Sequence, residues 1–191
     1  YMLVAQAKRS AELFMGSTIP DSEIPRIRGA LARNMQNIVI IGMPGSGKTT
    51  VAAALGEKLG RPVYDSDDKV LEMTGESAET LIRTRGEEAF RRAETAALAE
   101  LGKLSGAVIA TGGGAVTREE NYPLLHQNGT IVCLERALEH LPVDGRPISQ
   151  STNLAALYAK RKPLYARFAD VTVDNNGALD ATLRTVLEAL G

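Results

Sequence analysis

The residues Gly42-Met43-Pro44-Gly45-Ser46-Gly47-Lys48-Thr49 satisfy G-x-x-x-x-G-K-[ST] at every fixed position. In that motif successive backbone N–H groups cradle phosphate oxygens beside a helix N-terminus. Lys48 is then placed to reach the β- and γ-phosphates of a nucleotide, and the Thr49 hydroxyl to ligate Mg²⁺. A phosphate cradle serves kinases, switches, motors and sensors alike, so a second set of groups must define the chemistry. Asp65-Ser66-Asp67-Asp68 supplies carboxylates. One can support hydrated Mg²⁺ while another accepts a hydrogen bond from a hydroxyl nucleophile. Asp65 and Asp67 are expected to project to one side at a strand end, and Asp68 to cap the helix that follows. Arg91 and Glu94 stand three apart on one helical face. Gly112-Gly113-Gly114 is costly in backbone entropy, which suggests close approach of backbone to a ligand. Arg146 and Arg161 complete the candidate set.

These groups need a scaffold that brings them to one edge. From Asn37 onward short β-branched runs alternate with longer helical stretches, the pattern of a parallel sheet with crossover helices. Five strands are expected, at 38–41, 62–64, 107–110, 130–134 and 171–173. Helical stripes are carried by Val51, Leu55 and Leu59, by Phe90, Ala93, Ala97, Leu101 and Leu104, and by Leu179, Leu183, Val186, Leu187 and Leu190. In such sheets ligands bind beyond the C-terminal ends of the strands, where the cradle and the Asp65-Asp67 pair both fall.

Residues 1–36 read differently. Apolar positions 3, 7, 11 and 14 form one helical stripe ended by Gly16. Ile24, Ile27 and Leu31 form a second helix expected to stop before Asn34. Two short helices cannot bury a core alone. This segment carries net charge +2 and residues 37–191 net −3. At ~150 residues per domain, 191 residues make one domain and a surplus, and the surplus is placed at 1–36.

Composition narrows the partners. Hydrophobic residues make up 44% and the net charge is −1, as in a soluble globular protein. No apolar run is long enough to span a membrane, and the start lacks signal-peptide order. A cytoplasmic protein without membrane contact is expected. The absence of Trp, the eight aromatics and the acidic balance argue against nucleic-acid binding. One cysteine, Cys133, and two distant histidines leave no zinc site, so any metal is held by oxygen.

Asp65-x-Asp67, Phe90-Arg91-Arg92-x-Glu94, Gly112-Gly113-Gly114-Ala115-Val116, Arg146-Pro147 and Arg161-x-Pro163-Leu164-Tyr165, in this order behind the cradle, resemble shikimate kinase over 37–191. The resemblance implies a nucleoside-monophosphate-kinase-like P-loop fold with a five-stranded parallel sheet and a short lid. It also implies transfer of the ATP γ-phosphoryl to the 3-hydroxyl of shikimate, with Mg²⁺, by a monomeric kinase domain. Carried over, Gly42, Met43, Pro44, Gly45, Ser46, Gly47, Lys48, Thr49 and Thr50 bind ATP. Asp67 contacts the ring hydroxyls and the nucleophile, and Asp65 acts near Mg²⁺. Arg91 and Arg161 grip the carboxylate, Glu94 orients Arg91, and Gly112, Gly113 and Gly114 line the acceptor. Arg146 matches a lid arginine that stabilises the transferring charge, so the catalytic set is Lys48, Asp67 and Arg146. The segment from Glu135 to Gly145 is shorter than in many members of the family. The arginine that commonly packs on adenine has no clear counterpart there, and Arg136 is not assigned that role. Met2-Leu3-Val4-x-Gln6-Ala7 with Phe14-Met15-Gly16 resembles the last helix of shikimate dehydrogenase, which implies a fused neighbour and leaves Gln6 without a function here. The rival readings are a kinase for another hydroxy acid, such as gluconate, and a nucleotide-binding module without catalysis.

Overall fold

The computed structural model describes residues 1–141 and 154–191; Arg146 and the part of the expected lid from residue 142 onward lie outside them. Five parallel strands, β1 (Asn37–Gly42), β2 (Val63–Asp65), β3 (Val108–Ala110), β4 (Gly129–Glu135) and β5 (Val171–Asp174), form one sheet in the order β2-β3-β1-β4-β5. All five expected strands are present, displaced at their ends by at most one residue. The order places β1, every residue of which is buried, at the centre. A sheet covered on both faces has apolar side chains on both. Val39, Ile41, Ile109, Ile131 and Cys133 pack into one layer, and Ile38, Ile40, Val108, Val132 and Val173 into the other. The edge strand β2 leaves Val63 and Tyr64 exposed.

Helix α3 (Lys48–Leu59) leaves the cradle and packs Val51 and Leu55 on the second layer, beside Leu183 and Val186 of α9 (Leu179–Leu190). The first layer is covered by α6 (Glu87–Leu101), α7 (Asn121–His126) and α8 (Leu154–Phe168), through Leu98, Leu125 and Phe168. Helix α6 ends at Leu101, before Leu104 of its expected stripe, because the chain turns at Gly102. The helices α4 (Ser66–Thr74) and α5 (Ala78–Arg85) join α6 around a small core of their own, Val70, Leu81, Phe90 and Ala97. The helices around that satellite core carry Asp67 and Arg91.

The N-terminal segment forms α1 (Met2–Met15) and α2 (Glu23–Met35). Helix α2 continues two residues past its expected stop, and its end is tied to the sheet. Gly106 N–H donates to Met35 O (2.8 Å), and Arg61 donates to Gln36 O (2.8 Å) and Arg33 O (2.7 Å). Helix α1 buries none of its residues: Leu3 and Phe14, on the expected apolar stripe, are 79% and 93% exposed. Leu3, Ala7 and Phe14 of the expected stripe are exposed, and the half-buried side of the helix is instead formed by Val4, Ala5, Lys8, Ala11 and Glu12. No helix among them is long and apolar enough to cross a membrane.

Candidate active site

The cradle follows directly from β1. Gly42, Gly45 and Gly47 have φ of +147°, +84° and +91°, values that side chains rarely tolerate. Lys48 begins α3 and folds back over the loop, donating to Gly42 O (3.0 Å) and Met43 O (2.9 Å). A cavity of about 610 Å³ opens beside it, lined by Gly45, Gly47, Lys48, Thr49, Thr50 and Arg136. Arg136, left without a role by sequence, thus faces the same cavity as the cradle. Its Nε is buried without a hydrogen-bond partner among the described residues.

A second cavity of about 200 Å³ lies on the other side of Lys48 and Thr49, which line both. Its walls include Asp65, Asp67, Arg91, Glu94, Gly112, Gly113, Gly114 and Arg161. All the acceptor residues read from the sequence therefore meet in one place, although they come from β2, α4, α6, α8 and the loop after β3.

The reasons for their placement differ in part from those expected. Asp65 and Asp67 share the cavity through a helix start, not through strand alternation. Asp65 is the N-cap of α4, its Oδ1 accepting from Asp67 N–H (2.8 Å). Asp68 therefore lies in the first turn and does not cap. The second carboxylate oxygen of Asp65 accepts from Thr49 Oγ1 (3.2 Å), joining the expected metal groups across the crevice. Among the described residues no three His, Cys, Asp or Glu side chains cluster as a metal cage. A pair of hard oxygens suits Mg²⁺, which keeps several waters and binds through one or two protein oxygens plus phosphate.

Arg91 and Arg161 are buried, 6% and 5% exposed. Arg91 Nη1 donates to Glu94 Oε2 (2.7 Å) and Nη2 to Glu87 Oε1 (3.0 Å). Burial works against its charge, and the two carboxylates more than restore it, so its pKa lies above the ordinary value. Burial pushes the Glu94 carboxyl up. Arg91 pulls it down and Asp67 pushes it up again, leaving it above the usual carboxylate range. Oε1 of Glu94 is buried with no hydrogen-bond partner among the described residues. Arg161 Nη1 donates to Gly113 O (3.1 Å), and so does the Tyr165 hydroxyl (2.6 Å). Tyr165 was part of the quoted motif but had been given no task; it holds the glycine loop. Ser66 Oγ, also unforeseen, accepts from Gly112 N–H (2.8 Å).

The three glycines serve approach of side chains rather than of ligand alone. A Cβ at Gly112 would come within 2.6 Å of Glu94 Oε1 and 3.1 Å of Asp67 Oδ1. At Gly113 it would strike Pro44, and at Gly114 the guanidinium of Arg91.

A parallel sheet of this order, a phosphate cradle and a carboxylate-and-arginine pocket separated from it only by Lys48 and Thr49 define a P-loop small-molecule kinase. The shikimate kinase family model matches residues 44–191. The shikimate kinase of Thiobacillus denitrificans is 42% identical over 147 residues, covering 72% of this chain and 80% of its own. That of Neisseria meningitidis serogroup C is 38% identical over 162 residues, covering 80% and 95%. The solved shikimate kinase from Acinetobacter baumannii in complex with shikimate superposes with a TM-score of 0.73 at 34% identity, covering 82% of this chain and 93% of that one. The chain belongs to the shikimate kinase family.

Proposed function

We propose that this protein transfers the γ-phosphoryl group of ATP to the 3-hydroxyl of shikimate. The observation that carries the reading is the junction: Lys48 and Thr49 line both the cradle cavity and the acceptor cavity, so a phosphoryl group held by one faces a hydroxyl held by the other. Arg91 and Arg161 supply two buried guanidinium groups for one carboxylate. The orphaned Glu94 Oε1 and the Asp67 carboxylate offer acceptors for ring hydroxyls.

In this mechanism Asp67 accepts the proton of the 3-hydroxyl as its oxygen bonds to the γ-phosphorus. The bond from that phosphorus to the β–γ bridging oxygen breaks, and ADP leaves. Lys48 and the backbone N–H groups of the cradle neutralise charge on the β- and γ-phosphates. Thr49 and Asp65 would hold Mg²⁺, which supplies further neutralisation of phosphate charge when bound. Arg146 is assigned to the transferring phosphoryl on its motif. Gly45, Gly47, Lys48, Thr49 and Thr50 line the cradle cavity and Gly112, Gly113 and Gly114 the acceptor cavity, which supports their assignment to nucleotide and acceptor; Gly42, Met43, Pro44 and Ser46 are assigned to nucleotide on the motif alone.

We place residues 37–191 as the kinase domain, monomeric and cytoplasmic, and residues 1–36 as the end of a preceding shikimate dehydrogenase domain. The exposed apolar face of α1 supports the second placement. Phosphorus NMR tests the activity. Shikimate-dependent conversion of ATP to ADP with a new phosphomonoester signal is expected. Equal turnover of gluconate, or nucleotide binding without product, would favour the rival readings.

A further inference from the structure

The peptide joining Ser46 to Gly47 sits in the middle of the cradle, with a glycine on its C-terminal side. Gly47 has φ +91° and no side chain, so this peptide can flip at small cost. A flip would turn a carbonyl oxygen toward the phosphates and remove an N–H from them. The carbonyl is held from behind. Asn175, just beyond β5 and 8% exposed, donates from Nδ2 to Ser46 O (2.7 Å), and the residues are 129 positions apart. The orientation of the amide is unambiguous, because a backbone carbonyl can only accept. Its other end is occupied too: Thr182 Oγ1 of α9, 2% exposed, donates to Asn175 Oδ1 (2.7 Å). The Asn175 backbone N–H donates to Glu135 O (2.8 Å), extending the β4–β5 ladder to this point. A Cβ at position 47 would come within 2.7 Å of Asn175 Nδ2, so a side chain there would displace the amide.

In a planar trans peptide the C=O and N–H point in opposite directions. A carbonyl gripped on the outer side of the loop therefore aims the Gly47 N–H inward. We propose that Asn175, oriented by Thr182, is a positioning residue for the phosphate cradle. It fixes the Ser46–Gly47 peptide so that the Gly47 N–H is ready for a polyphosphate oxygen. The proposal requires only that the cradle bind polyphosphate. A titration with inorganic tripolyphosphate therefore reads it independently of whether shikimate is the acceptor.

The variants Asn175→Asp, Asn175→Ala, Thr182→Val and Thr182→Ser are titrated with tripolyphosphate by calorimetry and assayed for KM of both substrates. Both Asn175 variants should weaken tripolyphosphate and raise KM for ATP about tenfold, the loss of roughly one charge-assisted hydrogen bond. Shikimate KM should stay within about twofold, since cradle contacts are lost and acceptor contacts are not. Thr182→Val should move the same quantities in the same direction by about threefold, and Thr182→Ser, which keeps the hydroxyl, should restore them. If an Asn175 variant does not fold, the Thr182 pair decides. Variants that melt earlier yet bind tripolyphosphate and ATP as the parent does would overturn the proposal and leave Asn175 a packing residue.

Discussion

The guanidinium of Arg91 occupies the space that a side chain on Gly114 would fill. Gly114 has φ −101°, so alanine meets no backbone strain there and its whole effect falls on Arg91. Displacement by about 1 Å of an arginine proposed to position the substrate can cost ~100-fold. Gly114→Ala is therefore expected to lower kcat/KM for shikimate by about that factor, with ADP affinity unchanged. Steady-state kinetics and calorimetry check the two halves.

The Arg91–Glu94 pair separates stability from activity. Removing Glu94 leaves a guanidinium with 7% side-chain exposure one partner short. Glu94→Ala should cost about 3 kcal/mol in urea unfolding. The double change Arg91→Met with Glu94→Leu should recover much of that loss, because an apolar pair of similar volume avoids the desolvation of both charges. It should still phosphorylate no shikimate.

The raised pKa of Glu94 sets a pH dependence. The folded state binds this proton more tightly than the unfolded chain, so the stability it contributes is fully present below the unfolded value near 4.5. That contribution is lost as pH rises through the folded value. Glu94→Gln does not titrate. Its stability relative to the parent should therefore improve as pH is raised from about 4.5 toward neutrality, read from urea midpoints at several pH values. A difference that stays flat with pH would contradict the shift.

Asp65 combines a cap with a proposed metal contact, and the two can be told apart. Asparagine caps as well as aspartate does, so Asp65→Asn should melt with the parent while needing about tenfold more Mg²⁺ for half-maximal rate, a loss of one charged oxygen contact. Asp65→Ala should lose about 1 kcal/mol of stability as well.

Asp67→Asn keeps the shape of the site and removes the proposed proton acceptor. Turnover should fall by about 10²- to 10⁴-fold, the range for a positioned general base, while ADP still binds.

Much of this was readable in the sequence because it depends on local pattern. The β-branched runs became strands β1 to β5, and the cradle motif lies between β1 and α3. The residues around Asp67, Arg91 and Arg161 meet in one cavity as their family motif implies. What was not readable depends on contacts between distant segments. The 129-residue separation of Asn175 from Ser46 leaves no local signal, and an asparagine after a strand looks like an ordinary turn. The glycine triplet announced close approach without saying to what; only the fold brings Pro44, Glu94 and Arg91 against it. The stripe on α1 showed which side is apolar, but a stripe carries no information about its cover.

The ties on the end of α2 have a mechanical consequence. Met35 O and Gln36 O are held by Gly106 and Arg61 where β1 begins, and the cradle starts where β1 ends. Six residues of strand put about 20 Å between those points. A pull or a load applied through α1 is taken up at the start of the sheet, on the side away from both cavities. The first helix is thus a handle: the protein tethered to a surface or carrier by it should keep both substrate mouths clear and turn over at its free rate.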